Sequence, residues 1–152
     1  MADAGLNAVE KALFARLNHA SVTALVPAVR HMSSIIRPET TYPLITVAFL
    51  ASDPDRIDSF DGDAETLDYI IRAYDAEAFT LETVTDIAEA IDARLVGATL
   101  TATGYSGGVF GIRRVRWIRG IDTDHREVEY QPKKLGPYPY AGAVYRLWTQ
   151  RS

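Results

Sequence analysis

The spacing of apolar positions changes along the chain, and each change marks an element. Between Ala8 and Asn18, Val9, Leu13 and Leu17 recur every fourth residue with Ala12 and Phe14 beside them, which predicts an amphipathic helix. Asn7 followed by Glu10 has the spacing of a capping box and places the helix start there. Ser21 to Val26 predicts one further short turn of helix, stopped by Pro27, and Val29 to Met32 a brief strand. From Thr41 to Leu50 the period shortens: Tyr42, Leu44, Ile45, Val47, Phe49 and Leu50 are strand formers, with Pro43 near the start, where a missing N–H is tolerated. Ala51 to Asp63, with Asp-Pro-Asp and Asp-Gly-Asp, reads as an acidic loop. In Thr66 to Tyr74, Leu67, Tyr69, Ile71 and Ala73 alternate with Asp68, Ile70, Arg72 and Tyr74. This predicts a strand covered on one face and turned to solvent or a partner on the other.

The strongest helical pattern spans Thr80 to Val96. Leu81, Val84, Ile87, Ala88, Ile91 and Leu95 form its apolar stripe, Thr80 is the expected N-cap, Arg94 lies in the last turn and Gly97 takes the C′ position. Its acidic residues Glu82, Asp86, Glu89 and Asp92 are expected on a solvated face. Leu100 to Thr103, a glycine-rich turn at Gly104–Gly108 and a long strand Val109–Ile121 follow. Gly120 to Pro139 is polar and proline-containing, an extended hairpin or arm, and Gly142 to Thr149 is the closing strand. The order of elements predicts an α+β fold: a mainly antiparallel sheet, two helices on one face and an extended C-terminal hairpin or arm. A chain of 152 residues without internal repeats is expected to form one domain, 1–152.

Charge is segregated. Residues 1–51 carry four basic and three acidic side chains, residues 52–92 two and thirteen, and residues 93–152 ten and four. The net charge of −4 hides this asymmetry, which fits either solvated faces and loops or a surface that complements another copy of itself. The acidic residues concerned are Asp53, Asp55, Asp58, Asp61 and Asp63; the basic ones are Arg113, Arg114, Arg116 and Arg119, interleaved with Ile112, Val115, Trp117 and Ile118.

Chemistry narrows the classes further. The absence of cysteine excludes disulfides, thiolate metal sites and a cysteine nucleophile. No apolar run reaches the ~18–20 residues of a bilayer span, and Met-Ala-Asp-Ala-Gly lacks the basic and apolar segments of a signal peptide. Gly104-Tyr-Ser-Gly-Gly108 matches G-x-S-x-G, which as a nucleophile elbow around Ser106 needs a strand before it and a helix after it. A strand-like segment follows instead, so the glycines read as a hairpin turn. The aspartates after Asp53 miss the calcium-loop register, with Ile57, Asp58 and Ala64 at its positions 5, 6 and 12. His19, His31 and His125 show no metal-ligand spacing. Arginines beside Trp117 suit nucleic-acid contact, but the sequence pI of 5.3 lies far from the values above ~9 of dedicated binders. No cofactor is expected.

The same residues carry a resemblance. The run V-x-K-A-L-F-A-R-L (Val9–Leu17) is followed by Ala-Ser-Val-Thr-Ala-Leu-Val (20–26), Tyr-Pro-Leu-Ile-Thr-Val (42–47), an aspartate-rich loop, a strand, and E-x-V-x-D-I-A-E-A-I-D-A-R-L (Glu82–Leu95). This order resembles the tail terminator or tail-completion family of long-tailed bacteriophages and gene transfer agents. The resemblance implies a non-enzymatic virion protein that forms a ring, usually a hexamer, at the head-proximal end of the tail tube. Its implied partners are itself, the tail tube protein and a head connector or neck protein, with DNA passing through the lumen without specific binding and no membrane. A neck or head-closure subunit is the alternative role, and a small hydrolase using Ser106 a more remote one.

Overall fold

The structure, a computed structural model, describes residues 2–26, 29–31, 43–53, 64–75, 81–103, 105–122 and 138–150. Its elements are α1 (Ala2–Leu17), α2 (Ala20–Thr23), β1 (Val29–His31), β2 (Leu44–Asp53), β3 (Ala64–Tyr74), α3 (Glu82–Leu95), β4 (Leu100–Ala102), β5 (Tyr105–Asp122) and β6 (Tyr138–Gln150). They form one six-stranded sheet in the order β1-β2-β3-β6-β5-β4. The sheet is antiparallel except at its first edge, where β1 runs parallel to β2. This is the expected α+β architecture, mainly β, with one parallel pair added.

The helices cover one face because the apolar positions of strand and helix coincide in space. Leu67, Tyr69, Ile71 and Ala73 of β3 lie opposite Leu147, Tyr145, Ala143 and Ala141 of β6. Cross-strand partners share a face, and all eight are buried in the core with Val84, Ile87, Ala88, Ile91 and Leu95 of α3 and Val9, Leu13 and Leu17 of α1. Burying an aliphatic side chain of this kind contributes about 1.5–3 kcal/mol relative to exposure. The two long helices are also tied end to end. Arg16 Nε donates to the Arg94 carbonyl at 2.9 Å, while Arg94 Nε and Nη2 donate to the Arg16 carbonyl at 3.2 and 3.1 Å. Each arginine thus satisfies a C-terminal carbonyl of the other helix, where the macrodipole favours a cation.

Several sequence expectations are corrected. α1 starts at Ala2, so Asn7–Glu10 lies inside the helix: a capping pattern does not stop a helix upstream, and the single Gly5 costs too little to break one. The N-cap of α3 is Leu81, without a side-chain cap bond, and Thr80 lies outside the described residues. Gly97 does take the C′ position with φ +79°. β2 continues to Asp53 in the ladder with β3, past a bulge at Leu50, because backbone pairing is indifferent to polar side chains. The rest of the expected acidic loop, 54–63, and most of the expected arm, 123–137, lie outside the described residues.

Candidate interaction surface

β5 is the longest strand and the least conventional. Its pairing with β6 shifts register twice, between Val109 and Gly111 and between Arg114 and Arg116. Each shift adds a residue, Phe110 and then Val115, and reverses which side chains face the helices. The interleaved arginines are therefore divided between the two faces. Arg114 and Arg119 lie opposite Tyr145 and Ala141, on the helix-covered side; Arg113 and Arg116 lie opposite Arg146 and Val144, on the far side.

Arg114 is bound within the chain. Its Nη1 donates to Asp92 Oδ2 at 2.7 Å, and its guanidinium lies 4.4 Å from the Trp117 ring centroid. The Tyr145 hydroxyl donates to the other oxygen, Asp92 Oδ1, at 3.0 Å. Burial, reinforced by the Asp92 charge, pushes the Tyr145 phenol well above its ordinary pKa. Asp92 is thus no member of a solvated face. It fastens α3 to two strands, because the second bulge turns Arg114 toward the helix. Arg113 faces a cation across the strand pair, but Arg146 there is neutralised by a two-pronged bond to Asp68, at 2.9 and 3.0 Å.

The last half of β5 is exposed. Arg113, Arg116 and Arg119 are solvent-facing, as are Val115, Trp117 (47%) and Ile121. Apolar residues concentrated on one strand mark a contact surface more than the same residues scattered singly. Beside them an open groove of 490 Å³ runs between α3 (Thr85, Ala88, Glu89) and the strands, with Trp117, Arg119 and Ala141 as its other wall.

Of the acidic candidates, Asp53 ends β2, with its side chain outside the described ones; Asp55, Asp58, Asp61 and Asp63 lie outside the described residues altogether. Ser106 belongs to β5, in a hairpin whose turn lies between Ala102 and Tyr105. Strand follows it, so the strand–turn–helix geometry of a nucleophile elbow is not formed. Gly108, within β5, does need its glycine: φ is +59°, and an added Cβ would collide with the Leu100 carbonyl. His19 accepts from the Ser21 N–H at 3.2 Å and caps α2, while His125 lies outside the described residues. No three of the described His, Asp and Glu residues converge as a metal site, and no described helix is long and apolar enough to cross a membrane.

A small α+β sheet thus carries helices on one face and a long, half-exposed basic strand near one margin. Residues 11–132 match the family model described as tail completion protein gp17. The chain belongs to that family, and its role is structural, in a bacteriophage-type tail. Among solved structures it is similar to a chain from the virion of a native gene transfer agent particle, with TM-score 0.67 and 19% identity over 97% of this chain and 98% of that one. It is also similar to the bacteriophage SPP1 gp17 protein, with TM-score 0.49 and 17% identity over 96% and 90%. No curated protein sequence matches it.

Proposed function

We propose that this chain is a non-catalytic subunit of a ring, a hexamer by the family resemblance, that closes the head-proximal end of a phage-like tail tube and presents the surface on which the head joins. The observation that carries this reading is the family match across residues 11–132. The fold shared with a chain of a gene transfer agent virion over nearly the full length of both supports it. So does the exposed, arginine-bearing half of β5, which suits a protein whose function lies in its surfaces.

Subunits associate head to tail and close after a fixed number, each interface burying at least ~1,000 Å². Arg113, Arg116 and Arg119 supply its basic side, and the stretch holding Asp53, Asp55, Asp58, Asp61 and Asp63 its acidic side. Arg114 contributes indirectly, its charge already answered by Asp92. The lumen passes DNA without specific binding, an acidic lining keeping it from adhering because phosphate affinity is driven by cation contacts.

Electron microscopy of purified tail tubes incubated with this chain tests the reading. Density confined to one tube end, with a bound mass several times 16.8 kDa, is expected. Binding to a head connector but not to tube ends would transfer the chain to the neck.

A further inference from the structure

The side of α3 that faces away from the sheet is acidic. Val84, Ile87, Ala88, Ile91 and Leu95 turn into the core, and the helical period sets Glu82, Asp86 and Glu89 on the opposite side, all three exposed. The next position on that ridge is the exposed Ala93, so no cation interrupts it. Arg94, the arginine of this helix, is turned to the Arg16 carbonyl instead. Glu82 lies in the first turn, where the macrodipole favours an anion; Asp86 and Glu89 lie beyond it. Neither of those two makes a hydrogen bond or ion pair among the described residues. Like charges three and four residues apart repel within a helix. A cation brought to the ridge from outside relieves that repulsion.

The other face of the molecule supplies the opposite sign. Arg113 and Arg116 are exposed on the side of the sheet away from the helices, with the exposed Val115 between them in sequence. Neither arginine has an ion pair among the described residues, and the Asp68 carboxylate on their face is held by Arg146. The spans agree: the helix rises about 10 Å from Glu82 to Glu89, and the strand covers about 10 Å from Arg113 to Arg116. Because ridge and arginines lie on opposite sides of the sheet, one chain cannot bring them together. Two copies can. We infer that the acidic ridge of α3 on one copy of this chain docks on Arg113 and Arg116 of the next, helix layer against bare sheet face. Ridge against ridge and arginine against arginine both repel, so charge selects this orientation. The contact joins two different surfaces and repeats in one direction, as a ring requires. It deepens the ring reading, on which it rests, by giving the contact an acidic surface besides the stretch from Asp53 to Asp63.

Charge reversal on the full chain, assembled on tail tubes, tests the docking. Asp86→Lys with Glu89→Lys is expected to raise the protein concentration needed for assembly by at least ~10-fold. Asp86→Asn with Glu89→Gln should raise it in the same direction by less, and decides the matter if the lysine variant does not fold. Thermal midpoints near that of the parent show that the fold is kept. Adding Arg113→Glu and Arg116→Glu to the lysine pair restores opposite signs, and this combined variant should assemble better than either reversed pair, a rescue that independent sites would not give. Parental assembly of the α3 variants would overturn the docking and leave the ring reading standing, as would a combined variant no better than the worse pair. A parent chain that stays monomeric and leaves tube ends bare would overturn both.

Discussion

Asp92 sits where a helix, two strands and an aromatic ring meet, and its two oxygens accept from different strands. Replacing it by alanine removes two charge-assisted hydrogen bonds; with Arg114 about one-third exposed, the expected loss is about 1–3 kcal/mol, read from urea denaturation. The same cluster sets a pH response. The Tyr145 phenol is raised above its ordinary value of 10.0 by burial first and Asp92 second, so the folded chain holds its proton more tightly than the unfolded chain. That contribution is complete below about pH 10 and is lost as pH rises through the folded value. Stability should therefore fall above pH 10, and fall less steeply in Tyr145→Phe; parallel slopes in denaturation series would refute this. Tyr69 offers a contrast. It is fully buried, its ring lies edge-on to Phe49 at 5.5 Å, and its hydroxyl has no hydrogen-bond partner among the described residues. Tyr69→Phe keeps the packing and removes an unsatisfied group, so its folding free energy should be equal or more favourable, by up to about 1 kcal/mol, read as a thermal midpoint no lower than that of the parent.

At the scale of elements, the helix layer depends on its ends as much as on its apolar stripes. The reciprocal bonds between Arg16 and Arg94 fix the C-termini of α1 and α3 against each other. Arg16→Ala and Arg94→Ala are each expected to cost about 1 kcal/mol, and the double variant less than their sum, since either substitution breaks the shared arrangement. A chemical-denaturation double-mutant cycle measures the coupling; strict additivity would show that the two caps act independently. The strands have a similar division of labour. β3 and β6 pair in constant register, whereas β2 and β5 have bulges and, besides their core residues Ile45, Val47, Val109 and Ile112, carry exposed apolar side chains. Regular pairing preserves a buried face, and each inserted residue redirects the positions beyond it.

For the whole molecule, the relevant distinction is between charge that holds the chain together and charge that stays exposed. Arg114 and Arg146 have their carboxylates at hand, Asp92 and Asp68. Arg113 and Arg116 are exposed on the far face. Their simultaneous reversal, Arg113→Glu with Arg116→Glu, should leave the folding free energy within about 0.5 kcal/mol while weakening assembly at tube ends. Sedimentation with and without tubes separates the two effects, and unchanged assembly would remove these arginines from the interface. Arg114→Glu, placing a carboxylate against Asp92, should instead destabilise the fold itself.

Much of this was legible in the linear pattern. The apolar stripe of Val84, Ile87, Ile91 and Leu95 and the alternation through Leu67, Tyr69 and Ile71 place α3 and β3 to within a few residues, because local periodicity reflects which side faces the core. The segregated charges and the short runs from Val9 to Leu95 were enough to point to the family. The division of the β5 arginines was not legible, since it follows from bulges that exist only against β6, a strand whose sequence lies beyond residue 137. Nor was the role of Asp92, whose partners Arg114 and Tyr145 are 22 and 53 residues away. Composition and period determine what a segment becomes; register between distant strands decides where each side chain points, and only the folded chain contains that register.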